Sequence, residues 1–483
     1  MAKLLNGMML CAASLLCGGL VLICDGCNSR RGEPESRGNK GDECDLDDPM
    51  CAEGLVCDAV SEGDPQCVGP VVIRGTVLDI ADVRPIEGAL VQAVDGNGAA
   101  AGEWAATDAA GAFQLLVPAI RDDDGNPIEA IYTLRVQAPG YQEFPTPIRP
   151  ALPLDAATAQ PSEESDDWII EHSLTTVGLI KLTGDTSDLG SISGTVQAEN
   201  HSGILVIAAG VSGARIGFTD SEGLFVIFNV PPGTYDVQGY AAGVQLDATN
   251  TTLEAGETRE NVDLSESDRP LSTVSGNVQI VNAPGGSQTS VVLSVESTFV
   301  ESAGRGAVPP GLRVADVTGA FSIENVPDGK YVVLAAFEND RLVRDPDQTI
   351  GGTRIVRIEV PDPETGNVIS LPEGFKVTAA LSVIEPGADA PQAVATTTPT
   401  LEWQDDSSED GFEIRVFDAF GLQIWSDEIG PVSGSATVTH TYAGPDLVPG
   451  MFYQFRITSF REKTGERTAI STTEDLRGVF YLD

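Results

Sequence analysis

Basic residues are scarce in this chain. Its 483 residues include 28 Lys or Arg against 72 Asp or Glu, a formal net charge of −44. Phosphate backbones need Lys and Arg opposite them, so nucleic acid is excluded as a partner. The plain reading is an acidic, solvated surface that keeps an exported protein soluble, in a medium whose salt screens self-repulsion. Histidine is scarcer still. His172, His201 and His440 fall in three separate stretches, with no His-Glu-x-x-His pair. Also missing are a Gly-x-Ser-x-Gly elbow, a Walker loop and a Gly-x-Gly-x-x-Gly after a strand. The chain therefore reads as non-enzymatic, with no catalytic residue and no cofactor expected. There is no long helix-forming run, while Gly and Pro are plentiful. That combination favours many short strands joined by turns, in several domains.

Long apolar runs are also lacking after the N-terminus. Lys3 and the apolar Met8–Ile23 read as a secretion signal, too short for a membrane span. Cys24-Asp-Gly-Cys27-Asn-Ser follows. A cysteine at this place resembles the lipobox of bacterial lipoproteins, which implies diacylation of the cysteine as the new N-terminus. Cys27, preceded by Gly26, fits the small-residue rule better than Cys24. Residues 1–27 are thus expected to be a lipoprotein signal peptide and 28–42 a polar, flexible tether. Cys44, Cys51, Cys57 and Cys67 fall in a segment, 43–69, too short for a hydrophobic core. In an exported chain they read as two disulfides. Three pairings are open from spacing, and a four-cysteine zinc site would need closer pairs. The pattern looks like small secreted cysteine-rich modules, which implies first-to-third and second-to-fourth pairing.

The most informative stretch is Asp220-Ser-Glu-Gly-Leu-Phe-Val-Ile-Phe-Asn-Val-Pro-Pro-Gly-Thr-Tyr235. Asp220 and Gly223 have the spacing of a type I turn. Phe225 and Ile227 alternate as one face of a strand, Pro231-Pro232-Gly233 suits a tight turn, and Tyr235 restarts a period of two. The stretch recurs with Asp316, Gly319, Phe321 and Tyr331, and in divergent form from Asp108. Each copy is preceded by a strand with a glycine signature: Ile73-Arg-Gly-Thr-Val77, Ile192-Ser-Gly-Thr-Val196 and Val274-Ser-Gly-Asn-Val278. This order of motifs resembles the carboxypeptidase regulatory-like domain. The resemblance implies transthyretin-like Greek-key sandwiches at 70–182, 188–266 and 270–361. The fold class expected is therefore all-β: tandem antiparallel Greek-key β-sandwiches preceded by a small disulfide-rich module. The first copy lacks the Asn-Val-Pro-Pro-Gly segment and carries Asp122-Asp-Asp-Gly125 instead. Pro145–Asp167 reads as a soft segment, Ser265–Pro270 as a short hinge and 362–394 as a linker interrupted by the strand-like Phe375–Val383.

Residues 395–483 differ. Leu401 and Trp403 share a strand face, and Leu447-Val-Pro-Gly-Met-Phe-Tyr453 resembles the corner of fibronectin type III domains. That resemblance implies Trp403 in the core and a Tyr453 hydroxyl bonded to backbone. Acid clusters at Asp45–Asp48, Asp122–Asp124 and Asp405–Asp410 offer oxygen ligands, but none has EF-hand spacing, and solvated loops are the expected reading. The functional expectation is a lipid-anchored rod of sandwiches on the outer membrane or cell surface. It would present or bind a polysaccharide, cell-wall component or envelope protein. The stretch Gly285–Pro310, which departs most from the repeat, is the expected binding region. The alternative is a structural spacer with no ligand.

Overall fold

Strands dominate, as the turn-rich sequence requires. A computed structural model describes residues 37–46, 50–94, 100–146, 149, 151–220, 222–281, 288–301, 305–314, 317–338, 355–378, 380–405, 409–432, 436–463, 465–473 and 477–483. Cys27 with the rest of the expected signal peptide, Asp316, and parts of the expected tether and of Gly285–Pro310 lie outside them. Gly38–Asp483 forms one compact unit. It is all-β, with three short 3-10 turns and no α-helix among the described residues.

The cysteine-rich segment is a hairpin, Val56–Asp58 against Gln66–Val68, closed by Cys44–Cys57 and Cys51–Cys67. This is the first-to-third, second-to-fourth pairing. The bonded sulfurs of Cys44, Cys51 and Cys67 lie close together, but a disulfide sulfur is not a thiolate ligand.

Three sandwiches of one topology follow. In the second, the opening strand Gly190–Gln197 lies antiparallel to Leu224–Val230. The facing sheet has the order 213–218, 205–210, 233–240, 249–253. The chain then returns to lay Thr258–Arg259 and Leu264–Ser265 parallel to the opening strand. In the first two repeats the glycine of the signature makes room for this return. A Cβ on Gly194 would stand 2.1 Å from the Val262 carbonyl oxygen, and one on Gly75 would stand 2.0 Å from that of Thr175. The two motifs of each repeat also meet. The signature valine N–H donates to the turn glycine carbonyl in all three: Val77 to Gly111, Val196 to Gly223 and Val278 to Gly319, each at 2.8 Å.

In the third sandwich the returning strands are Val368–Ser370 and Phe375–Thr378, parallel to Ser272–Val281. They fall inside 362–394, read as a linker interrupted by the strand-like Phe375–Val383; Phe375–Thr378 is that strand, and Val368–Ser370 is a strand where linker was expected. The rest of that stretch joins the next sandwich: Val383–Glu385 pairs with Thr400–Gln404, and Gln392–Val394 pairs with Val479–Leu482. Pro145–Asp167 is likewise no soft segment. Its Ala151, Leu152, Leu154, Ala156 and Ala159 are buried in the first core. In both places short apolar side chains, spaced among Pro and acids, find a sheet to cover.

The sandwiches are not beads on a string. Leu205–Ala208 are four consecutive buried residues, where a half-exposed strand would alternate. Val206 and Ala208 face the second core, while Leu205 and Ile207, with Phe218 and Tyr240, join the core of the third repeat. The hinge at 265–270 is bolted: Arg269 reaches Asp247 at 2.5 Å and Asp328 at 2.8 Å. The C-terminal sandwich packs back on the first repeat, with Ala419 and Val479 in the first core. Arg149 donates to the Phe420 carbonyl at 2.8 Å, and His172 stacks on Phe452. The expected rod is therefore replaced by modules in mutual contact.

Candidate functional site: a cavity lined by three repeats

The strand Ile131–Gln137 has two faces. Tyr132, Leu134 and Val136 point into the first core. Period two puts Thr133, Arg135 and Gln137 on the other face, and all three line a cavity of about 830 Å³. Repeat two contributes Arg215, Phe228 and Asn229; repeat three contributes Phe299, Arg305 and Val308.

Charge here runs against the rest of the chain. Arg135, Arg215 and Arg305 line the cavity, with Glu143 and Asp185 as the carboxylates. The Arg135 guanidinium lies over the Phe218 ring, 4.2 Å from its centre, and its Nε is 3.5 Å from Glu143. Arg135 Nε and Nη1 have no hydrogen-bond partner. Arg215 donates to the carbonyls of Ala214 and Asn229, contacts that orient it without neutralising it. Burial pushes the Glu143 carboxyl above its usual value, with Arg135 opposing; burial pulls Arg135 below its own, with Glu143 opposing.

One of two similar joints between repeats, at Gln137 and Asn229, lines the cavity. Asn229 and Asn325, the Asn of each Asn-Val-Pro, both have φ 57°. Asn is among the few non-glycine residues that accept this conformation. The Gly140 N–H donates to Asn229 Oδ1 at 2.7 Å, and the Gly243 N–H donates to the Asn325 carbonyl at 2.9 Å. Gln137 donates to the Ile216 carbonyl of the second repeat, and Gln238 to the Asp328 carbonyl of the third. So the ends of the first and second Tyr-led strands dock on the Asn of the repeat that follows.

The residues singled out from sequence lie elsewhere. Asp220 Oδ1 accepts from the N–H of Glu222 and Leu224, and Gly223 has φ 78°. Phe225, Tyr235, Phe321 and Tyr331 are buried. The hydroxyls of Tyr235 and Tyr331 donate to Pro231 O and Pro327 O at 2.7 and 2.9 Å. Gly233 opens its strand rather than sitting in a tight turn; the sharp left-handed bend is at Asn229. Trp403 is fully buried, edge-on to Phe412, and Tyr453 Oη accepts from the Val448 N–H at 2.9 Å. Asp122 is committed to its own turn, accepting from Asp124 and Asn126. His172 caps a 3-10 turn, and His440 pairs with Asp427, so the histidines do not converge. Of the expected binding region, Ser297–Val300 and Gly306–Val308 line the cavity beside Arg305. This stretch also covers Val292, Val332 and Leu334, which explains the unbroken apolar run of the Tyr331 strand. Arg135, Glu143 and Arg215 were missed, because nothing local in the sequence marks the cores' outer faces as facing one another.

Scans of protein-family models and of curated proteins return no match. Among solved structures, the Bacillus anthracis TIE protein aligns at 12% identity over 88% of this chain and 75% of its own, TM-score 0.15. The shaft pilin SpaA of Lactobacillus rhamnosus GG aligns at 12% over 42% of this chain and 98% of its own, TM-score 0.17. A streptococcal ancillary pilin aligns at 12% over 61% and 99%, TM-score 0.16. Likenesses this weak say nothing about function.

Proposed function

We propose that the chain is an exported, lipid-anchored, non-enzymatic protein of the cell envelope that holds a ligand outside the cell. Its sandwiches are read as three carboxypeptidase regulatory-like repeats and a fibronectin type III-like module, on the motifs quoted above. The observation that carries the reading is the cavity, lined by three repeats that touch one another. Two disulfides and an acidic surface suit an exported setting. The shared core of the second and third repeats favours a second reading, a spacer of fixed geometry with no ligand.

Two measurements divide these. Mass spectrometry of the mature protein should find a diacylated Cys27 at the N-terminus; an unmodified residue downstream of it removes the anchor. Asn28 after Cys27 lacks the retention aspartate of the lipoprotein family, so outer-membrane sorting is expected, whereas acylation at Cys24 would put Asp25 there. A glycan array probed with the purified protein should show binding under the first reading and none under the spacer reading.

A further inference from the structure

We propose that the cavity among the three repeats binds a small sugar acid, a hydroxylated ring carrying a single carboxylate. This rests on the ligand-holding reading and names its ligand class. The volume of about 830 Å³ lies within the span of about 300–1,000 Å³ common to small-ligand pockets. It accommodates one or a few sugar rings.

The lining supplies both parts of such a ligand. Arg135 and Arg215 reach it from two different repeats. The guanidinium fork matches a carboxylate in shape as well as charge. Arg135 has unused donor capacity at Nε and Nη1, and its ion pair with Glu143 is long, at 3.5 Å. An underused, partly buried cation gains from an arriving carboxylate. Phe228, Phe299 and Tyr141 offer ring surface to the C–H faces of a sugar. Thr146, Thr186 and Gln142 offer polar groups to its hydroxyls. The chain's net charge of −44 limits the ligand's charge. A polyanion would be repelled over its whole length, while a singly charged acid meets repulsion that salt screens. Glu143 stands beside Arg135 and disfavours a second negative charge at the same spot.

The test is calorimetric titration of the full-length protein with glucuronate, glucose and inorganic phosphate. Glucuronate should bind, more weakly as NaCl is raised, and glucose and phosphate should bind at least about tenfold more weakly. Arg135→Gln should weaken glucuronate by about tenfold or more, and Arg135→Lys should restore part of that. The wild-type arms stand even where a variant fails to fold. Equal binding of glucose or phosphate overturns the sugar-acid assignment, as does no binding of glucuronate. Glucuronate binding that Arg135→Gln leaves intact in a folded protein overturns the site. A neutral glycan captured on the array and undisturbed by Arg135→Gln would leave the ligand-holding reading standing while this inference fails.

Discussion

Phe225→Ala is expected to cost about 3–5 kcal/mol, the usual range for a buried Phe, and to loosen the second and third repeats together. Phe225 sits in the second core with Ile192, Ile227 and Tyr235. A single sandwich has only about 5–15 kcal/mol in hand. Read from the motifs alone, each repeat should unfold by itself, with damage confined to residues 190–265. The strand Leu205–Gly210 changes that expectation. Its Val206 and Ala208 need the second core, while its Leu205 and Ile207 complete the third. Limited proteolysis of Phe225→Ala should therefore cut both repeats and spare the C-terminal sandwich. Cutting confined to 190–265 would mean that the shared core contributes little. A wild-type pattern would mean that Phe225 is not in the core.

The second large effect lies at the junction of the cysteine-rich hairpin with the first repeat. Arg121 and Asp58 are both buried, 63 residues apart in the chain. Arg121 Nε and Nη2 donate to Asp58 Oδ2 at 2.8 and 2.7 Å, and Nη2 also donates to Gly69 O at 2.9 Å. Removing one partner of a buried pair strands the other charge, which typically costs about 3–5 kcal/mol. Arg121→Ala should lose about that much in denaturant unfolding. Arg121→Met with Asp58→Leu should recover most of it, because apolar replacement of a whole buried pair is often neutral. A single variant within about 1 kcal/mol of wild type, as an exposed pair would give, contradicts the account of this junction.

These two sites show where the sequence is legible. Asp220, Gly223, Phe225 and Tyr235 were readable because turn chemistry and period two are local. The glycine signature was readable as a repeat, though its cause, the return of the chain past Gly194, is a contact with Val262 far downstream. Arg121 sits just before Asp122-Asp-Asp-Gly125, the segment that replaces Asn-Val-Pro-Pro-Gly in the first copy. Its importance comes from a partner in another module, and no local pattern carries that. Asn229 and Asn325 were visible as repeated letters; their left-handed backbone and docking role were not. The unbroken apolar runs Leu205–Ala208 and Val332–Leu334 were the available signal that some sheets are covered on both faces. Phe375–Thr378 was visible as strand-like, but Val368–Ser370 and Gln392–Val394 read as linker because strands of three residues among Pro and Gly look like loops until a neighbour pairs with them.

The sandwiches fold back on one another, bringing the C-terminal module against the first repeat. Pulsed electron resonance between nitroxides at Glu171 and Val448 tests this arrangement most directly. Both sites are exposed, and each is close in sequence to a residue of the contact, since Ser173 Oγ donates to Gly450 O at 2.6 Å. The folded-back arrangement gives a separation on the order of 20 Å, whereas a linear string of sandwiches, with strands of roughly eight residues at about 3.3 Å each, gives on the order of 80 Å. A narrow distribution at the short distance supports the folded-back arrangement. A distribution centred near the long one contradicts it, and with it the packing of the C-terminal sandwich on the first repeat.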